Sequence, residues 1–229
     1  MRTVFLVCVL TLEMVARAGI ITGTVSAEGK VEAEQGGAAG KYDSRKYKFV
    51  EKLNYSELRD FVVFIEGPVS GVTNGAPMTR SVSTTKLTQR DAAFKPHILP
   101  VAVGTKVQWP NEDDIFHNVF SMSEPKPFDL DLYKGNPPEK AVTFDKAGRV
   151  DVFCSIHSQM HCVVLVVENP FFATTDARGR YTISNVPAGK YKLKAWHERL
   201  PPQSQDITVH ESGDVKVDFT LGIKNLPKY

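Results

Sequence analysis

Asp151-Val-Phe-Cys-Ser-Ile-His-Ser-Gln-Met160 carries a thiol (Cys154), an imidazole three residues on (His157) and a thioether three further on (Met160). A second imidazole, His117, opens the separate segment His117-Asn118-Val119-Phe120. Two imidazole nitrogens and one thiolate in a trigonal set, with a weak axial thioether, form the ligand pattern of a blue-copper electron-transfer centre. Soft sulfur favours Cu(I), and imidazole suits both oxidation states. Zinc fits less well, because structural zinc sites take four Cys or His ligands and seldom use Met. Singly, a cysteine is most often a small buried hydrophobe, and a lone His or Met is usually packing. Four at these spacings are much harder to reach by accident. Met160 is followed by His161 and Cys162, so His161 stands as an alternative axial ligand.

Outward from this core, Val150 to Cys154 reads as a strand that delivers the thiol to a loop, and Cys162 to Val167 as the next strand. Val101 to Trp109 alternates and predicts one strand ending at the turn Pro110-Asn111. Phe128 to Tyr133 and Ala141 to Phe144 alternate as further strands. Glu112, Asp113 and Asp114, just before His117, read as a solvated loop rather than a partner-facing acidic patch. The segment from about Phe94 to Glu168 resembles a cupredoxin of the plastocyanin and amicyanin kind. The matching residues are Phe94-Lys-Pro-His97, Val101 to Trp109, His117 to Phe120, and Gly148 to Cys154 with His157 and Met160. The short Cys-x2-His-x2-Met loop is more similar to amicyanin than to plastocyanin. The resemblance implies copper held by His117, Cys154, His157 and Met160, with Asn118 tying the His117 loop to the Cys154 loop. Such binding needs neutral imidazoles and a thiolate, so it weakens at low pH.

The flanks follow a second pattern. Thr174-Thr-Asp-Ala-Arg-Gly-Arg-Tyr-Thr-Ile183 has a turn at Asp176 to Gly179 feeding an alternating strand. Asn185-Val-Pro-Ala-Gly-Lys-Tyr-Lys-Leu-Lys-Ala-Trp196 repeats the scheme, with Pro187 and Gly189 as turn formers. Asp206 to Val209 and Val215 to Leu221 complete a set of short antiparallel strands. This part resembles the carboxypeptidase regulatory-like module, a small transthyretin-like β-sandwich. Two strands that such a module needs, Ile20 to Val25 and Phe61 to Ile65, lie before the cupredoxin-like segment. The expected organisation is therefore all-β: a regulatory-like sandwich from 19–78 and 169–229, with a cupredoxin Greek-key sandwich at 79–168 inserted in a loop. Insertions at loops are physically cheap. Three consecutive pieces are the alternative.

Composition sets the remaining bounds. A chain of 229 residues has room for one large or two small domains. A formal charge of +2 gives no reason to expect nucleic acid or membrane-surface binding. Met1 to Ala18 reads as a signal peptide: Arg2, an apolar core from Val4 to Leu12, and Ala16-Arg17-Ala18 as a small-x-small cleavage site. That core is too short to span a membrane. A periplasmic or secreted protein follows, in which Cys154 and Cys162 could pair as a disulfide. That pairing would destroy the copper site, and Cys162 reads better as packing. Lys41 to Leu58, basic with interleaved aromatics, reads as solvated surface.

Two function classes compete. The first is a one-electron carrier, not an enzyme, exchanging electrons with a c-type cytochrome or a dehydrogenase. The second is a binding or scaffold protein whose regulatory-like sandwich engages glycan or a protein. Trp196, His197 and Tyr191 are its aromatic candidates, although packing accounts for them better. A multicopper enzyme would need His-x-His pairs, which the sequence lacks, and His97 and His210 stand alone without evident partners.

Overall fold

A computed structural model describes residues 18–29, 53–69, 85–211 and 213–222. The leader read at Met1 to Ala18 and the basic run up to residue 52 fall almost wholly outside them. The described chain is β throughout apart from one short 3-10 turn at Tyr55–Glu57.

Two sandwiches are formed. The first takes its strands from both flanks. One sheet centres on β1 (Gly19–Glu28), which pairs antiparallel with β14 (Arg180–Val186). On its other edge β1 pairs in parallel with β17 (Asp214–Lys216) and then β18 (Phe219–Gly222), so Val215 to Leu221 is neither one strand nor antiparallel to its neighbour. The facing sheet runs β13 (Phe172–Thr174), β2 (Val62–Ile65), β15 (Gly189–His197) and β16 (Leu200–Val209). Alternation along β1 turns Ile21 and Val25 inward, where they meet Val63, Ile65, Tyr181, Ile183, Leu193 and Phe219. The turn before β14 depends on glycine: Gly179 has φ +75°, and a Cβ there would lie 2.4 Å from the Val25 carbonyl oxygen.

The second sandwich lies wholly within residues 85–167. Its five-stranded sheet runs β6 (Ile98–Ala102), β12 (His161–Val167), β11 (Gly148–Phe153), β8 (His117–Ser121) and β9 (Phe128–Tyr133). Opposite it lie β10 (Ala141–Phe144), β7 (Thr105–Gln108) and β3 (Thr85–Lys86), with a hairpin of β4 (Thr88–Arg90) and β5 (Ala93–Lys95). Val101 to Trp109 is therefore not one strand. Gly104, at φ +87°, turns the chain out of β6 and into β7 on the other sheet. Alternation carries on across the turn because both sheets face one core, so Val101 and Val107 pack together with Trp109.

β12 joins the two bodies. Its run His-Cys-Val-Val-Leu-Val-Val is buried beyond its first residue. Cys162, Val164 and Val166 face the core of the second sandwich. Leu165 and Val167 turn the other way and pack with Ile98 and with Val62, Phe64, Phe172 and Trp196 of the first. A strand covered on both faces reads as a continuous apolar run, and this one does.

A candidate metal centre

The centre grows from two loops at one end of the five-stranded sheet. β11 ends at Phe153, and Cys154 follows at the strand's mouth. From there the chain doubles back tightly: Met160 N donates to the His157 carbonyl at 3.0 Å, and Cys154 N donates to the Met160 carbonyl at 3.2 Å. His117 enters from β8, three strand positions from the Phe120–Phe153 pairing that joins β8 to β11.

His117 is fully buried, and its Nδ1 lies 3.0 Å from Nδ1 of His157. The Cys154 sulfur lies 3.6 Å from that same His157 nitrogen. Two nitrogens bound about 2 Å from one ion stand about 3 Å apart, so the spacing suits a shared metal. The polar surroundings dictate which lone pairs face inward. Asp113 Oδ2 lies 2.8 Å from His117 Nε2, which places the ring's N–H there and leaves Nδ1 bare. A carboxylate on the outer nitrogen of a ligating histidine is how such rings are oriented. Asp113 is itself fixed by the backbone N–H groups of Asp91 (2.7 Å) and Ala92 (2.9 Å). Burial pushes its carboxyl up, but the Ala92 N–H, the His117 ring and the Asp91 N–H outweigh that and hold it below the usual carboxylate range.

The sulfur has its own support. Asn118 N donates to Cys154 Sγ at 3.4 Å, and the Asn118 side-chain oxygen accepts from Ser155 N at 3.3 Å. Its Nδ2 donates to Asp129 at 2.7 Å, so Asn118 spans the two ligand segments and is braced from β9. Met160 is buried in the same core cluster as Cys154. His161 is elsewhere: its ring stacks on Phe153, with centroids 4.8 Å apart, and its Nε2 faces Asp151 at 3.0 Å. Cys154 and Cys162 are both free thiols. Cys162 is fully buried, and burial drives its thiol well above the usual range.

Two readings of single residues change here. Asp113 is not solvated filler but the hydrogen-bond partner of His117, while Glu112 pairs with Arg90 and Asp114 with Lys134. A carboxylate four residues before a candidate ligand histidine was the available signal. His97 is not alone; it pairs with Glu198 of the other sandwich at 2.7 Å. The aromatic candidates for glycan binding do not share an open face. His197 is buried against Phe61, Trp196 is part of the junction between sandwiches, and the Tyr191 hydroxyl donates to the Pro187 carbonyl.

Comparison with known proteins covers both bodies. Residues 81–167 match the family model of copper binding proteins of the plastocyanin/azurin family. Residues 162–222 match the model of the carboxypeptidase regulatory-like domain. No curated protein matches the chain. Among solved structures, the chain is similar to a Cu-containing nitrite reductase (NirK) from Thermus scotoductus SA-01, at 24% identity and TM-score 0.36. That likeness covers 46% of this chain and only 28% of the reductase. A purple cupredoxin from Nitrosopumilus maritimus is similar over 36% of this chain and 98% of its own, at 22% identity and TM-score 0.32. Amicyanin from Paracoccus versutus is similar over 38% and 85%, at 21% identity and TM-score 0.32. The chain thus matches, one after the other, the models of a plastocyanin/azurin-family copper-binding domain and of a carboxypeptidase regulatory-like domain.

Proposed function

We propose that the protein is a blue-copper one-electron carrier, with His117, Cys154, His157 and Met160 as the copper ligands. The observation that carries this reading is the meeting of two imidazole nitrogens 3.0 Å apart beside a buried cysteine sulfur. Copper bound there supplies a single electron by passing between Cu(I) and Cu(II). The chain does the rest. Asp113 holds the proton of His117 on Nε2, so the inner nitrogen stays a ligand. The Asn118 N–H donates to the sulfur and steadies its charge. Placing these groups on short loops anchored in a sandwich keeps them still while the charge on the metal changes.

Exchange with a partner needs a surface close to the centre. His157 is half-buried, and the two ligand loops carry exposed apolar side chains at Ile115, Phe116 and Ile156. These form the docking patch for a redox protein such as a c-type cytochrome or a dehydrogenase, and the protein acts as a carrier rather than an enzyme. Export to the periplasm or beyond follows from the Met1 to Ala18 pattern, with cleavage after Ala18. The copper-loaded mature protein should show an intense visible band that ascorbate bleaches, and its mass should begin at Gly19. A colourless copper-loaded protein would overturn the carrier, and an intact leader on exported material would overturn the cleavage.

A further inference from the structure

We propose a second metal site, for a divalent transition ion such as Zn2+, formed by His97, His161 and Glu198 where the two sandwiches meet. One donor atom from each side chain lies within 4.8 Å of the others. His97 stands just ahead of β6 and His161 opens β12, both in the copper sandwich. Glu198 sits in the turn between β15 and β16 of the other sandwich.

The argument is an accounting of protons. His97 Nδ1 lies 3.1 Å from the His161 carbonyl, which can only accept, so this nitrogen carries the hydrogen. Its Nε2 lies 2.7 Å from the Glu198 carboxylate. A neutral imidazole has one N–H, and His97 has already used it. Something positive must therefore stand between Nε2 and Glu198, either a second proton or a metal ion. His161 is prepared in a complementary way. Its Nε2 faces Asp151 at 3.0 Å, and Arg149 clamps Asp151 through two hydrogen bonds of 2.9 and 2.7 Å. A carboxylate tied down in this way accepts from the Nε2 N–H, the tautomer that leaves Nδ1 of His161 without a hydrogen. Two imidazole nitrogens and one carboxylate are a donor set suited to zinc and its neighbours, and a carboxylate behind a ligating histidine is the usual support. All three residues are half-buried, so an ion can enter without unfolding the junction.

An ion here would link the copper sandwich to its host, and binding to the folded form alone raises stability with metal concentration. The test uses the full copper-loaded chain, exposed to excess Zn2+, freed of loose metal and submitted to elemental analysis. The native chain should retain one zinc more than Glu198→Gln or His97→Asn, and its unfolding midpoint should rise with zinc while theirs do not. A cooperative unfolding transition without added zinc, shown by both variants, reports that they are folded. The difference of one zinc is the readout whatever fills the inner site, so failure of the copper reading does not confuse it. An ion pair only, seen as equal zinc content in native and variant chains, would overturn the site.

Discussion

The two sandwiches obey the same alternation but bury polar side chains for different ends. In the copper sandwich Gln89, Asn111, His117, Asn118 and Ser121 are buried; in its host, Asn169, Thr175 and His197. The host uses Asn169 to close its own backbone. Nδ2 donates to the carbonyls of Ile65 and Gly67, and Oδ1 accepts from Phe171 N. The inserted body uses Asn111 in the same way, but turns buried His117 to a second imidazole and to the Asp113 carboxylate. Burying polar groups costs free energy unless each is bonded. Where the partners are other polar side chains rather than backbone, the burial marks a site and not a turn.

The sharpest way to break this contrast is Cys154→Ser. It should remove the intense visible band completely, because that absorption needs the thiolate, while the host sandwich unfolds at an unchanged midpoint. Cys162→Ser, which touches only the core, should keep the colour. A blue Cys154→Ser protein, or a colourless Cys162→Ser one, would dismantle the ligand assignment.

A smaller effect is expected at Asp113. Asp113→Asn keeps the shape but loses the charge that orients His117, and copper affinity measured by chelator competition should fall about 10- to 100-fold. Unaltered affinity would mean that the Asp113–His117 bond is only structural.

The smallest effect lies in the host. Asp176 accepts from the N–H groups of Arg178 and Arg180 and from the Arg180 guanidinium, and these pull its carboxyl down to about 2. A carboxyl lowered by folding stabilises above its unfolded pKa of about 4, and that stability is lost as pH falls toward 2. Asp176→Asn should therefore flatten the acid limb of host unfolding between those values, modestly, because the group is exposed and salt-screened. An identical acid limb in the variant would count against the turn as an electrostatic device.

Much of this was legible in the residues. Alternation and turn formers disclosed most of the longer strands but not the short β3, β4, β5 and β13 or the first half of β16, and the Cys-x2-His-x2-Met spacing disclosed the loop. What stayed hidden depended on distance through space. His97 is 64 residues from His161 and 101 from Glu198, so no local pattern joins them. The break at Gly104 was masked because strands on both sheets point the same parity of residues at one core. Asp113 was hidden by company: among Glu112, Asp113 and Asp114, only geometry shows which acid turns inward.

The pairing of β1 with β18 has a kinetic consequence. Ser26 bonds to the Phe219 carbonyl, 193 residues away, and Thr24 to Asp218. The copper sandwich, by contrast, finds every described strand partner between residues 85 and 167. Loops of such different length close at different entropic cost, and contacts near in sequence form before distant ones. The inserted body should therefore fold while β1 still waits for its partner. Once folded, it brings the two halves of its host together and turns a very long loop into a short one.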